Sequence, residues 1–143
     1  MRALLDVNVL IALLDSDHVF HSSAMDWLSV NYEVGWASCP ITENGCLRIM
    51  SQTKYPGKAS LVEVANRLKG AQESDFHEFW SDQISVLDEG SIDLNRVHSP
   101  RQLTDVYLLA LAVAHKGKFV TFDRKISESA VKTASTNQLE IIS

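Results

Sequence analysis

Four acidic residues have positions suited to joint chemistry: Asp6, Glu43, Asp105 and Asp123. Two like charges 4 Å apart repel by about 4 kcal/mol at an effective dielectric of about 20, so a cluster of carboxylates favours a bound cation. Hard oxygen ligands without His or Cys partners favour Mg²⁺ or Mn²⁺ over Zn²⁺. If the four acids meet, their residue types predict a divalent-metal site that activates water and orients a phosphodiester.

The elements around these acids predict that they do meet. Asp6 and Asp123 each follow a short apolar segment typical of a strand, and Glu43 and Asp105 each lie in the first turn of a predicted helix. Taken singly, an acid in a first turn is equally typical of a residue that complements the helix dipole. In a parallel sheet, however, the carboxyl ends of the strands and the N-termini of the connecting helices lie at one edge, where ligands bind.

The alternation of apolar patterns predicts an α/β fold: a three-layer α/β/α sandwich with a central, mostly parallel sheet, formed by residues 1–143 as a single domain. Strands are predicted at residues 3–5, 34–37, 84–87, 118–122 and 139–142, and helices at 9–14, 22–32, 40–50, 58–72 and 104–114.

Three local features add predictions that the structure can test. Asn8 is a candidate N-cap for the first helix, because a short polar side chain there accepts a hydrogen bond from an exposed backbone N–H. Phe76, Phe79 and Trp80 are spaced to lie on one helical turn, and Gly117 is placed as a C-terminal cap of the last predicted helix.

Composition narrows the classes of protein. The chain has 143 residues, 45% hydrophobic and 22% charged, as in ordinary globular domains. Its net charge of −5 excludes a nucleic-acid binder that acts through an overall basic field. The longest apolar stretch, residues 106–114, is far short of the roughly 18 residues of a membrane span, and no signal peptide is recognised. Cys39 and Cys46 predict free thiols, and we expect a cytoplasmic protein without membrane association.

Four segments occur in an order typical of a known family: Asp-Val-Asn at 6–8, Thr-Glu-Asn-Gly at 42–45, Thr-Asp-Val-Tyr-Leu-Leu-Ala-Leu-Ala at 104–112 and Thr-Phe-Asp-Arg at 121–124. Over essentially its whole length, the chain resembles the PIN-domain ribonucleases, and most closely the VapC toxins of type II toxin–antitoxin systems. The resemblance implies a Mg²⁺-dependent endoribonuclease that leaves a 5′-phosphate, is inhibited by a cognate antitoxin protein and forms a homodimer.

The resemblance also implies roles for individual residues. Mg²⁺, or Mn²⁺ in its place, is expected as the cofactor that the acids hold, and RNA as the substrate. The expected metal-binding and catalytic residues are Asp6, Glu43, Asp105 and Asp123, and the expected polar supports are Asn8 and Thr121.

One position departs from the family pattern. Some relatives have a further acid two positions after the fourth aspartate, whereas here Asp123 is followed by Arg124 and Lys125. The number of metal ions, one or two, therefore stays open. Arg124 and Arg101 are instead candidate contacts to RNA phosphates.

Two other functions are compatible with parts of the pattern. A phosphatase that uses Asp6 as its nucleophile also begins with a strand followed by Asp, but such enzymes need a second Asp where this chain has Asn8. A non-catalytic PIN-like module that only binds RNA or a partner protein is the main alternative. Loss of one of the four acids would favour that module, and none is missing.

Overall fold

A five-stranded, fully parallel sheet forms the centre of the molecule, which a computed structural model describes over residues 1–57 and 59–143. Lys58, the first residue of the predicted fourth helix, lies outside the described residues. The strand order is β3-β2-β1-β4-β5. Strands β2 and β3 are added on one side of β1, and β4 and β5 on the other, so the strand order reverses between β1 and β4. The strands are β1 (Ala3–Leu5), β2 (Trp36–Ser38), β3 (His77–Phe79), β4 (Lys118–Thr121) and β5 (Leu139–Ile141).

Helices cover both faces of this sheet, which confirms the predicted three-layer α/β sandwich. Alternate strand residues enter opposite cores: Leu4 and Phe119 pack with the helix that precedes β4, whereas Leu5 and Val120 pack with the four earlier helices. The helices are α1 (Val7–Leu14), α2 (His21–Asn31), α3 (Pro40–Met50), α4 (Leu61–Gln72) and α5 (Leu103–Ala114). In the described part of the chain, no helix is long and apolar enough to cross a membrane.

Helix α5 is the most deeply buried element, as its apolar sequence predicted. Every residue from Val106 to Ala112 is buried, and the hydroxyl of Tyr107 donates a hydrogen bond to the carbonyl of Ile84 at 2.8 Å. Asp105 lies immediately before this buried block, at the end of the helix nearest the carboxyl edge of the sheet. The packing of α5 therefore determines where Asp105 lies.

The third strand was predicted in the wrong place. Residues 84–87 form no strand; Ile84 and Val86 pack their side chains onto the core beside α5 instead. The third strand is instead β3, at one edge of the sheet. The expected helical turn carrying Phe76 and Trp80 is wrong, because the backbone there pairs with β2. The N–H of Trp36 donates to the carbonyl of Phe76 at 2.9 Å, and that of Trp80 to the carbonyl of Ser38 at 2.8 Å.

Two predicted caps also differ. Asp6, not Asn8, is the N-cap of α1, and Asn8 lies within the first turn. His115 caps the end of α5, and Lys116 takes the left-handed conformation with φ of 59°. Gly117 is needed for a close approach: a Cβ there would lie 2.6 Å from the carbonyl oxygen of Arg2.

Candidate active site

Asp6 is a buried carboxylate at the point between β1 and β4 where the strand order reverses. It follows β1 directly and is only 6% exposed. Its Oδ2 accepts a hydrogen bond from the Thr121 hydroxyl at 2.8 Å, and its Oδ1 accepts one from the N–H of Val7 at 2.7 Å. Burial, with a smaller contribution from the charge of Asp123, raises the pKa of Asp6 above its ordinary value. Strands β1 and β4 thus hold this carboxylate in one orientation.

Asp123 lies on the exposed side of the same edge, two residues beyond β4. Its backbone N–H donates to the Thr121 hydroxyl at 3.0 Å, and its Oδ1 accepts a hydrogen bond from the N–H of Lys125 at 2.8 Å. Thr121, itself fully buried, therefore contacts both Asp6 and the segment that carries Asp123. One hydroxyl joins the two strand ends.

Asp105 has the clearest electrostatic perturbation of the four acids. Burial, the negative charges of Asp6 and Asp123, and a hydrogen bond to Asp123 together raise its pKa to about 7. Each of these effects disfavours the charged form of a carboxyl group. Asp6, Asp105 and Asp123 therefore lie in one region of negative potential, although they are far apart in the sequence.

Glu43 occupies a separate hydrogen-bonding network. It lies in the first turn of α3, as predicted, and its Oε2 accepts hydrogen bonds from the Ser38 hydroxyl and the Gln72 side-chain amide, both at 2.7 Å. The Ser38 hydroxyl also lies 2.8 Å from Nε2 of His77. The structure therefore brings three of the four predicted acids together electrostatically, whereas the fourth, on α3, is hydrogen-bonded to Ser38 at the end of β2.

In the described part of the chain, the side chains of the remaining predicted residues make no hydrogen bond or ion pair with the four acids. Asn8 is exposed on the first turn of α1. Arg101 is exposed in the short helical turn Pro100–Gln102 that leads into α5, and Arg124 is exposed next to Asp123.

The PIN domain family model matches residues 3–132. The chain belongs to the PIN-domain family. It is 54% identical over 139 residues to Ribonuclease VapC44 of Mycobacterium tuberculosis, covering 97% of this chain and 98% of that protein. Ribonuclease VapC39 of the same organism is 39% identical over 131 residues, covering 91% of this chain and 94% of that protein. These relatives confirm the resemblance to VapC proteins that the four sequence segments indicated.

Solved structures show the same fold at low sequence identity. VapBC2 from Rickettsia felis, bound to a DNA fragment from its promoter, superimposes with a TM-score of 0.63 at 12% identity and covers all of both chains. Mycobacterium tuberculosis VapC20, described as a sarcin-ricin loop cleaving toxin, has a TM-score of 0.58 at 11% identity, covering 92% of this chain and 98% of that one. The PIN fold therefore extends over the chain despite extensive sequence change.

The carboxylates of this PIN domain suit a hard divalent cation by their chemistry. Three of them perturb one another, as the pKa of Asp105 records, and a cation would relieve that repulsion. Within residues 1–57 and 59–143, however, no three Asp, Glu, His or Cys side chains have the arrangement of a complete metal site.

Several polar residues of the PIN domain's site were missed by sequence analysis. Ser127 is 1% exposed; its hydroxyl donates to Oε1 of Gln102 and accepts a hydrogen bond from the N–H of His98 at 3.1 Å. It thereby joins the loop that carries Asp123 to the segment that leads into α5, the helix that carries Asp105. Ser38, Gln72 and His77 were missed likewise, because their partners are distant in the sequence. The sequence held a signal for Ser38 alone, namely its position at the end of a buried strand.

Proposed function

We propose that this PIN-domain protein is a divalent-metal-dependent endoribonuclease and the toxic component of a type II toxin–antitoxin system. The observation that carries the proposal is the shared negative potential of Asp6, Asp105 and Asp123 at the edge of the sheet where the strand order reverses. Ligands of open parallel sheets bind at such a point. The names of the relatives, ribonucleases of the VapC group, support RNA as the substrate.

Each acid has a role that follows from its surroundings. Mg²⁺ or Mn²⁺ bound at this edge would lower the pKa of a water molecule and offset charge on a phosphodiester. Asp6, oriented by Thr121 and the N–H of Val7, is the preorganised ligand. Asp105 would be ionised when it binds the cation, and Asp123 and Glu43 would complete the set of carboxylate ligands. We assign Asn8 a supporting polar role, and Arg101 and Arg124 contacts to RNA phosphates.

The same comparisons support the proposed partners. VapBC2 contains an antitoxin together with its toxin, so we propose a cognate antitoxin protein as an inhibitor of this chain. We also propose that residues 1–143 act as a single PIN domain and that the protein functions as a homodimer. Because the proposed substrate is RNA, we expect the protein to act in the cytoplasm.

Cleavage assays with purified, antitoxin-free protein test the proposal. Mg²⁺ should support internal cleavage of RNA that leaves 5′-phosphates, and EDTA should abolish it. Asp6→Asn and Asp105→Asn should each lower the rate by about a hundredfold or more, since each removes a charge that acts in the transition state. Sequencing of the cleaved ends from total cellular RNA would identify the target.

Asp26→Asn is the matched control, because Asp26 is exposed on α2 and the same chemical change there should leave the rate unchanged. Cleavage that survives EDTA would contradict the metal mechanism. Mg²⁺ binding without cleavage of any cellular RNA would favour the non-catalytic RNA- or partner-binding module instead.

A further inference from the structure

Glu43 is held by side chains from two elements outside its own helix. The amide of Gln72, the last residue of α4, donates to Oε2 of Glu43 at 2.7 Å and to the Ser38 hydroxyl at 3.1 Å. Ser38, the last residue of β2, donates its only hydroxyl proton to the same Oε2 at 2.7 Å. The end of α4 and the end of β2 thus both contact a single carboxylate oxygen.

The hydrogen count extends this network to the edge strand. Because the Ser38 proton is used on Glu43, the contact of 2.8 Å between Ser38 and His77 requires His77 to donate from Nε2. The His77 ring is in turn held against the Trp36 ring, with 4.4 Å between the centroids. Every polar hydrogen in the network is therefore directed toward Glu43, either directly or through Ser38.

The network leaves the other carboxylate oxygen for a ligand. In the part of the chain that the structure describes, Oε1 of Glu43 accepts no hydrogen bond, whereas Oε2 accepts two. Glu43 is only partly buried, and together with Gln72 it lines an open cavity of about 220 Å³ between α3 and α4. Two donors on one oxygen fix the plane of a carboxylate, as outer hydrogen bonds do for metal-binding groups in proteins.

We propose that Gln72 and Ser38 are positioning residues that orient Glu43 toward the divalent cation of the active site. This inference rests on the proposed function, because it assigns Glu43 to that cation site. Gln72 and Ser38 do not touch the substrate; they act only through the carboxylate of Glu43. The C-terminal end of α4 thereby becomes part of the active-site structure, although α4 contributes none of the four acids.

Gln72→Met tests the proposal, because methionine has a similar length and lacks the amide donors. We expect the Mg²⁺ dissociation constant, measured by titration calorimetry, to rise by about tenfold, within the range known for outer-shell substitutions. The rate of RNA cleavage should fall at low Mg²⁺ and recover in large part at saturating Mg²⁺. The midpoint of thermal unfolding in EDTA should change little. Gln83→Met, at an exposed loop position, is the matched control and should alter neither quantity.

A double-mutant cycle with Glu43→Gln separates positioning from general stabilisation of the fold. If Gln72 acts through Glu43, Gln72→Met should cause no further loss of Mg²⁺ affinity in the Glu43→Gln background. Ser38→Ala is the second variant and should behave in the same way. An equal loss of affinity in both backgrounds, or Mg²⁺ affinity unchanged in both variants, would overturn the positioning role while leaving the nuclease assignment intact. A wild-type protein that neither binds Mg²⁺ nor cleaves RNA would overturn the proposed function itself.

Discussion

Asp105 shows how its position in the fold raises the pKa of an ordinary carboxyl group. Its place before the buried segment of α5 removes part of its hydration, and Asp6 and Asp123 add like charges. With a pKa of about 7, the Asp105 carboxyl is protonated in about half of the metal-free molecules at pH 7. The Mg²⁺ ion proposed to bind here would have to displace that proton, so its affinity should depend on pH.

This linkage predicts the pH dependence of stability. Because Asp105 binds its proton more tightly in the folded state than in the unfolded state, its contribution to stability is fully present below pH 3.8 and is lost as the pH rises through about 7. In EDTA, wild-type protein should therefore lose more stability between about pH 5.5 and pH 8 than Asp105→Asn. Scanning calorimetry of both proteins at the two pH values measures the difference. Identical pH profiles would mean that Asp105 ionises normally.

The same proton should appear in the metal titration. Mg²⁺ should bind more tightly at about pH 8 than at pH 5.5, and binding at pH 5.5 should release a proton, seen as a dependence of the binding enthalpy on the buffer. Asp123→Asn should reduce this proton release, because it removes both a like charge and the hydrogen-bond partner of Asp105. The variant should be no less stable than wild type in EDTA and should gain less stability from Mg²⁺.

At the level of secondary-structure elements, the close contact between α1 and α3 positions Glu43 relative to Asp6. Val7 begins α1 directly after Asp6, and Gly45 lies two residues after Glu43 in α3. A Cβ on Gly45 would lie 2.7 Å from Cγ2 of Val7, too close for two carbon atoms. The absence of a side chain at position 45 thus permits the helix carrying Glu43 to pack against the start of the helix that Asp6 caps.

Two glycine substitutions should therefore have opposite effects on stability. Gly70→Ala, in α4 with open space around its Cα, should stabilise the protein by about 1 kcal/mol through helix propensity. Gly45→Ala should destabilise it, because overpacking against the stiff Val7 side chain costs about 1–3 kcal/mol, which outweighs that gain. Thermal or urea unfolding in EDTA measures both effects.

Val7→Ala supplies the control for the steric explanation. In that background the contact is removed, so Gly45→Ala should become neutral or stabilising. A Gly45→Ala variant that is already more stable than wild type would show that α3 moves away from α1 without cost.

At the scale of the whole molecule, an acidic protein must bind a polyanion locally. The net charge of −5 opposes RNA at a distance, and the bound cation together with Arg101 and Arg124 would supply the positive potential at the site. Such binding depends weakly on salt, in contrast to that of proteins with extended basic surfaces.

Two phosphate contacts predict a slope of about −1.4 for log binding constant against log salt concentration, since each contact to a single strand contributes about −0.7. The cleavage-inactive Asp105→Asn variant, titrated in EDTA with a single-stranded target RNA, should show this slope. Arg124→Ser should reduce it to about −0.7. Arg96→Ser is the matched control, because Arg96 pairs with Asp93 and should leave the slope unchanged. A slope steeper than about −4 would indicate an extended basic surface instead.

The amino-acid sequence by itself determined the α/β class, four of the five strands and the position of each acid within its element. This was possible because apolar runs end at Asp6 and Asp123, and a long apolar block follows Asp105. A parallel sheet with helices on both faces buries all of these segments. The edge strand β3 escaped sequence analysis because two of its three residues, His77 and Glu78, are polar and leave no apolar run to recognise.

Only the tertiary structure decided which groups interact and how strongly. The joining of Asp6 to Thr121, the network around Glu43 and the altered pKa of Asp105 all depend on contacts between residues distant in the sequence. Hydrogen bonding and electrostatics act over a few ångströms in space and depend on burial, which a linear pattern does not record.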